Sequence, residues 1–319
     1  MQLTSKQVIS AITGAIDFHE EDGFLQFSRF TPQMLTYFSA TERQDLHSKA
    51  DAGIKMDFTT DSDFLKFSYV PYPASRSVEC YIDILVNGDL VLHHGNTPIV
   101  SEIQHVFLDL PKGTNRLTIY FPCLFYVKVK DFALSDGASY TPFAHKLKIL
   151  FFGDSITQGC NAFFPSLAYY NLVGAKLDAE VLNQAISGDI FNVDQIEKDV
   201  PFSPDMIFIA YGTNDIAKGL LTEEILQAYF QKLCEVWPTQ AIYVLLPLWR
   251  LDMQEHKEKF LAARQLIADA CVLYKNITVV ETMDFVPHYP EFFYDNFLHP
   301  NELGFVFYAN SIVKYLAQR

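Results

Sequence analysis

The spacing of hydrophobic residues divides the chain into two parts with different periods. Up to about residue 145, apolar and polar residues alternate with a period of two, most clearly over 78–86, as in strands that are buried on one face. Asn87 and Gly88 follow that run and supply the residue pair of a tight hairpin turn. The pattern predicts an all-β sandwich, jelly-roll-like, over residues 1–145, with a more helical or irregular insertion at 32–50.

From residue 146 onward, short apolar runs alternate with segments of helical spacing. This alternation predicts an α/β fold, in which a parallel sheet carries helices on both faces. The expected strands are 147–152, 180–183, 206–211, 242–246 and 277–280, and the expected helices are 166–177, 222–237, 255–274 and 301–316. The predicted domains are therefore 1–145 and 146–319.

The charge and the cysteines argue against several classes of partner and cofactor. The formal net charge is −14 and neither half carries a basic run, so nucleic acid and anionic membranes are poor partners. The five cysteines show no Cys-x-x-Cys spacing and no metal-binding motif is present, so we expect reduced thiols and no metal or other cofactor. No apolar stretch reaches about 18 residues and no signal peptide is visible, which predicts a cytoplasmic protein.

Polar residues follow four of the five predicted strands, at the sheet edge where open α/β folds bind ligands. The first strand runs into Gly-Asp-Ser, which ends in Ser155, and the second leads to Gly188. The third is followed by Asn214, and the fifth by a loop with Asp295 and His299. A serine, a glycine amide, an asparagine amide and a histidine at one edge suit acyl transfer, which needs a nucleophile, a base and oxyanion donors.

These four blocks, in this order and spacing, resemble the GDSL or SGNH hydrolase family, which is named for a Ser, a Gly, an Asn and a His. The resemblance covers residues 146–319, and it implies a flavodoxin-like, three-layer αβα fold that hydrolyses esters. It also implies that Ser155 is the nucleophile and His299 the general base. The backbone N–H groups of Ser155 and Gly188 and the side-chain amide of Asn214 would form the oxyanion hole.

The position of the acid that would orient the histidine departs from the family pattern. The family usually places an Asp three residues before the catalytic His, but that position holds Asn296, and Asp295 lies four before. If the loop bulges, Asp295 faces His299 and completes a triad. If it does not, Asn296 faces the imidazole, and a Ser–His dyad with a backbone carbonyl orienting the ring would operate. Loop geometry decides between the two.

The first half has a weaker resemblance to two-domain bacterial carbohydrate esterases that remove O-acetyl groups. It rests on the β-sandwich ahead of the hydrolase domain, on Arg-Phe-Thr at 29–31 and on the run 132–135. Such a domain could bind glycan, wall the active-site cleft or mediate dimerisation, because sandwich domains serve many roles. We therefore expect a serine esterase that acts on short acyl, O-acetyl esters of a carbohydrate or small molecule.

A second hypothesis is a binding or scaffold protein whose SGNH-fold domain has lost catalysis, and it is motivated by the irregular spacing before His299.

The loop after the fourth strand carries Trp249 and Arg250. Trp249 could line a substrate pocket, and Arg250 could contact a polar group of the substrate. Packing within the loop is the alternative role for both. The expected partner is a small-molecule or glycan ester, and the sequence leaves homo-oligomerisation open.

Overall fold

The computed structural model describes residues 1–318, except for the side chains of 253–255. It divides into two compact units. The first contains Met1–Lys146 together with Phe163–Ser166 and Glu180–Leu182. The second contains Leu147–Ala162, Leu167–Ala179 and the residues from Asn183 onward.

Antiparallel strands dominate the first unit. They are β1 (Ile12–Thr13), β2 (Asp17–Glu21), β3 (Phe24–Ser28), β4 (Lys55–Thr60), β5 (Phe64–Pro73), β6 (Cys80–Val86), β7 (Asp89–Asn96), β8 (Gln104–Asp109), β9 (Asn115–Tyr120), β10 (Phe125–Leu134) and β11 (Thr141–Pro142). One sheet has the order β1-β4-β9-β6-β7, with β11 paired to β4, and the other has the order β2-β3-β10-β5-β8.

Side chains from both sheets meet in one hydrophobic core. Val127 and Val129 of β10 are buried and alternate with partly exposed neighbours. They belong to the same core cluster as Ile82 and Ile84, which come from the other sheet. Period-two burial on facing sheets is the architecture of a sandwich, so the predicted all-β sandwich is confirmed.

The local structure of the first half agrees with the sequence-based predictions, with one exception. Asn87 and Gly88 adopt φ values of 54° and 94°, the left-handed pair that a tight hairpin between β6 and β7 requires. The insertion at 32–50 contains helices α2 (Pro32–Phe38) and α3 (Glu42–Ser48). Helix α1 (Ser5–Ala11) was not predicted, because it is short and buries only two residues.

The third sheet is formed by β12 (Leu147–Gly153), β13 (Ala179–Asn183), β14 (Met206–Ala210), β15 (Ala241–Leu245) and β16 (Ile277–Val280). Its order is β13-β12-β14-β15-β16, and the pairs from β12 through β14 and β15 to β16 are parallel. This is the 2-1-3-4-5 order of flavodoxin-like folds. Each strand lies within one residue of its predicted bounds, because buried parallel strands are short, largely apolar runs.

Helices cover both faces of this sheet. They are α4 (Ser155–Gln158), α5 (Tyr169–Leu177), α6 (Thr213–Lys218), α7 (Glu223–Val236), α8 (Lys257–Cys271) and α9 (Glu302–Ala317). Consecutive strand residues point to opposite faces: the Phe151 ring packs against Tyr169 of α5, and the Phe152 ring against Trp237 after α7. Helix α5 contacts α9, and α7 contacts α8, so the three-layer αβα fold is confirmed.

Two predicted helices begin later than the sequence pattern indicated. The helix predicted from 166 begins at Tyr169, because Pro165–Leu167 forms a separate 3-10 turn. The helix predicted from 255 begins at Lys257, after another 3-10 turn at Leu251–His256. Its predicted first residue lies among those whose side chains are outside the described part of the chain.

Candidate active site

Ser155 begins a short helix directly after strand β12. The Asp154 side chain caps this helix by accepting the Ile156 N–H at 3.0 Å, and Gly159 ends it with a φ of 90°. The first N–H groups of a helix have no acceptor within the helix. The Ser155 backbone N–H is therefore available at the carboxyl end of the strand, where a sharp strand-to-helix turn presents the side chain.

Ser155, His299 and Asp295 form one hydrogen-bonded chain. Ser155 Oγ lies 2.9 Å from His299 Nε2, and His299 Nδ1 lies 2.7 Å from Asp295 Oδ2. Burial by itself raises the pKa of the Asp295 carboxyl, but hydrogen bonds from His299 and from the N–H groups of Leu298 and Phe297 hold it well below its usual range. An ionised carboxylate only accepts, so Nδ1 carries the imidazole proton and Nε2 is left to accept the serine proton.

The loop between the acid and the histidine wraps around the carboxylate. Asp295 Oδ1 accepts the backbone N–H groups of Phe297 at 3.1 Å, Leu298 at 2.7 Å and His299 at 3.1 Å. Asn296 takes a left-handed conformation, with φ of 65°, which asparagine tolerates better than most residues. The extra residue is accommodated in this bulge, and the Asp295 carboxylate, not the Asn296 amide, lies at His299 Nδ1.

The loop after β13 brings Gly188 to the same strand end. The Ile186 N–H donates to Gly153 O at 3.1 Å, and Gly188 itself has a φ of 73°, which favours glycine. Asn214 Nδ2 donates to Asp189 O at 2.9 Å. An asparagine amide has two N–H groups, so this contact orients the side chain and uses only one of them.

The sequence of this region matches a known family model. Residues 151–305 match the model of the GDSL-like Lipase/Acylhydrolase family. This segment is a GDSL-like acylhydrolase domain. The matched range begins within β12, just before Ser155, and includes Gly188, Asn214, Asp295 and His299.

Solved structures with the same fold extend over nearly the whole chain. A salicylyl-acyltransferase, SsfX3, from a tetracycline biosynthetic pathway superposes with a TM-score of 0.74 at 20% identity, covering 96% of this chain and 94% of its own. A putative GDSL-like lipase from Bacteroides ovatus gives 0.74 at 17% identity, with coverage of 100% and 97%. A family two carbohydrate esterase from Clostridium thermocellum, in complex with cellohexaose, gives 0.66 at 14% identity, with coverage of 96% and 98%.

No curated protein matches the sequence significantly. Within residues 1–318, no helix is long and apolar enough to cross a membrane. In the same described part of the chain, no three His, Cys, Asp or Glu side chains are grouped so that they could hold a metal ion.

Two further residues of α6 hold the Gly188 loop of the acylhydrolase domain. Lys218 Nζ donates to Gly188 O at 3.0 Å, and Asp215 Oδ1 accepts the Phe191 N–H at 3.1 Å. No motif in the sequence assigns a role to Lys218. Its spacing of four from Asn214 is the available signal, because residues four apart lie on the same face of a helix.

Asp154, directly before the nucleophile, is a buried carboxyl group. Burial raises its pKa to about 7, against the opposing effects of the Ile156 N–H and His299, while Asp215 and Asp189 raise it further. Asp154 also lines a small cavity of about 10 Å³. Asp154 is therefore both a helix cap and a titratable group next to the site.

Trp249 and Arg250 differ in what they contact. The Trp249 ring is buried, stacked on His288 with ring centroids 4.8 Å apart, and it packs against Phe293. Arg250 Nη1 donates to Thr213 O at 3.4 Å. Trp249 thus supports the loops around the site, whereas Arg250 reaches the residue before Asn214; contact of either with substrate stays a prediction.

Proposed function

We propose that the protein is a serine esterase that removes short acyl groups, O-acetyl above all, from a carbohydrate or small-molecule alcohol. The observation that carries this proposal is the continuous hydrogen-bonded chain from Ser155 Oγ through His299 to Asp295. The acylhydrolase domain at 151–305 supports it. Residues 146–319 would be the catalytic domain and residues 1–145 an accessory β-sandwich domain.

In the first half-reaction, Ser155 Oγ bonds to the carbonyl carbon of the ester while its proton moves to His299 Nε2. The carbonyl oxygen becomes an oxyanion in the tetrahedral intermediate. The bond from the carbonyl carbon to the alcohol oxygen then breaks, and His299 gives its proton to that oxygen. The alcohol leaves and the acyl group remains on Ser155.

In the second half-reaction, water attacks the acyl carbon and gives a proton to His299 Nε2. The bond to Ser155 Oγ breaks, and Oγ regains a proton from His299. Ester and water are thereby converted into carboxylic acid and alcohol. Asp295 remains ionised throughout and stabilises the imidazolium, as the carboxylate does in other triads.

The oxyanion would be stabilised by the backbone N–H groups of Ser155 and Gly188 and by the Asn214 side-chain amide. Negative charge develops on the carbonyl oxygen only as the tetrahedral intermediate forms, so fixed donors lower the barrier more than they strengthen substrate binding. The contacts of Lys218 and Asn214 with the Gly188–Asp189 carbonyls would keep these donors in place.

The alternative, a scaffold protein without catalysis, is motivated by the irregular spacing of Asp295 and His299. The 2.7 Å contact between the two side chains removes that motivation and favours the enzyme. A family two carbohydrate esterase among the similar folds also fits a carbohydrate ester, although likeness at 14% identity supports the fold only.

The test compares wild-type protein with Ser155→Ala on 4-nitrophenyl acetate and on acetylated sugars, with acetate release as the readout for the sugars. We expect the variant to lose at least about 10³-fold in kcat/KM. Equal rates for the two proteins would refute the proposal. Faster hydrolysis of long-chain than of acetyl esters by the wild type would refute the preference for short acyl groups.

A further inference from the structure

A cavity of about 330 Å³ lies beside helix α6 in the second unit. Its volume is in the range of small-molecule binding sites. The lining consists of Ile216, Ala217 and Phe260, which are apolar, and of Arg250, Asp252, His256 and Lys259. Apolar side chains together with a few charged groups are the usual lining of a ligand pocket.

A shared helix and backbone hydrogen bonds connect this cavity to segments of the candidate active site. Ile216 and Ala217 follow Asn214 within α6. Arg250 Nη1 donates to Thr213 O at 3.4 Å, directly before Asn214. The Leu251 N–H, next to Arg250, donates to Phe297 O at 3.1 Å, inside the loop that carries Asp295 and His299. The helix that carries Asn214 therefore lines the cavity, and the segment at 250–252 links the cavity to the loop of His299.

Positively charged side chains line this cavity, although the protein is acidic. The chain has a net charge of −14, and the described lining residues include Arg250 and Lys259 beside the carboxylate of Asp252. Among the described residues, no ion pair engages Lys259. Such a local excess of positive charge attracts anionic groups.

The Arg250 guanidinium already binds a carboxylate in a bidentate ion pair. Its Nε and Nη2 donate to the two Asp252 carboxylate oxygens at 2.8 and 2.6 Å. The Arg250 side chain is 12% exposed, whereas that of Asp252 is 49% exposed. The Asp252 side chain can therefore rotate toward solvent at little cost in free energy. The Arg250 guanidinium would then accept another planar carboxylate in the same bidentate geometry.

We infer that this cavity is a subsite for an anionic oxygen group, a carboxylate, on the ester that the enzyme hydrolyses. This inference rests on the proposed esterase function. Arg250 is the specificity-determining residue, Lys259 adds to the attraction, and Asp252 competes with the substrate for the guanidinium. The preferred substrate is thus an ester whose alcohol part carries a carboxylate, as in a hydroxy acid or a sugar acid.

The test uses two acetyl esters of the same shape, 4-acetoxybenzoate and the neutral 4-acetoxybenzamide. We expect wild-type kcat/KM to favour the carboxylate by about tenfold, the factor that one charged hydrogen bond supplies. Arg250→Gln should abolish the preference and Lys259→Gln should reduce it. Asp252→Asn should increase it by about threefold, because the internal competitor loses its charge. Lys275→Gln, which removes an exposed lysine before β16, is the matched control and should not change it.

Equal rates for the two esters in the wild type, or a preference that survives Arg250→Gln, would overturn the inference. A stronger preference for 4-acetoxyphenyl phosphate than for 4-acetoxybenzoate would overturn the assignment of a carboxylate. If no ester is hydrolysed in a Ser155-dependent manner, the esterase proposal fails separately. Calorimetric titration with benzoate and benzamide then still tests the subsite: tighter binding of benzoate that is lost in Arg250→Gln supports it, and equal binding refutes it.

Discussion

His299 Nδ1 lies 2.7 Å from the Asp295 carboxylate, although Asn296 occupies the position where relatives of this type usually carry the acid. The left-handed backbone of Asn296 and the three N–H groups that Asp295 Oδ1 accepts turn the loop so that the carboxylate reaches the ring. The histidine is thereby oriented, and Nε2 is directed at the serine.

Asp295→Asn should lower kcat by about 10⁴, the loss seen when a triad carboxylate becomes an amide and the wrong imidazole tautomer is favoured. Asn296→Gly should change kcat by less than about twofold, because glycine adopts the left-handed conformation without strain. Steady-state kinetics with 4-nitrophenyl acetate, with circular dichroism to verify folding, checks both. Loss of activity in Asn296→Gly together with an active Asp295→Asn would point to the dyad instead.

Asn214→Ala should lower kcat by about 10² to 10³ with little change in KM, because an oxyanion donor acts in the transition state. The variant also loses the contact with Asp189 O, so the melting temperature should be recorded. An unchanged kcat in a folded variant would exclude Asn214 from the oxyanion hole.

Lys218→Met should reduce kcat by less than about tenfold, because Lys218 acts on the Gly188 loop and not on the substrate. Lys218→Arg keeps a donor near Gly188 O and should restore most of the rate. Equal defects in the Met and Arg variants would mean that the hydrogen bond to Gly188 is not the reason for the effect.

Asp154→Asn should stabilise the protein increasingly as the pH rises from about 4 to about 7. In the wild type, burial raises the pKa of Asp154 from its ordinary 3.8 to about 7, so in this window the folded state holds a proton that the unfolded state has released. The free energy of unfolding of the wild type therefore falls with rising pH, by up to about 4 kcal/mol at about 1.36 kcal/mol for each pH unit.

The asparagine variant has no such titration and can still accept the Ile156 N–H. Urea denaturation of both proteins at several pH values gives the difference in unfolding free energy directly. That difference should grow across the window and level off above pH 7. A difference that is independent of pH would show that Asp154 does not titrate there.

Gly153→Ala should destabilise the protein by about 1–3 kcal/mol, because the added methyl group would overlap the Thr157 side chain and lie 3.0 Å from Ala210 O. Gly23→Ala, in open space, is the control and carries only the cost of its left-handed backbone. Thermal unfolding measures both. Equal losses of stability would show that the space around Gly153 is not limiting.

The sequence by itself predicts the two-part architecture and the residues of the candidate site. Period-two alternation before residue 145 and short apolar runs after 146 predict the strands of each part, since burial on one or both faces is encoded locally. The strands of the parallel sheet were predicted to within a residue. Ser155, Gly188, Asn214 and His299 are the predicted site residues because each follows a strand, parallel strands end at one edge, and the four blocks resemble those of the GDSL family.

Only the tertiary structure decided the contacts that depend on loop shape. The register of Asp295 and His299 is set by the backbone torsion of Asn296 and by three hydrogen bonds, none of which has a periodic signal. The hydrogen bond from Lys218 to Gly188 O, the raised pKa of Asp154 and the cavity that the segment after Arg250 lines together with α6 likewise depend on segments that are distant in sequence. Such non-local packing and desolvation determine which polar residues meet, whereas the local pattern determines only which elements carry them.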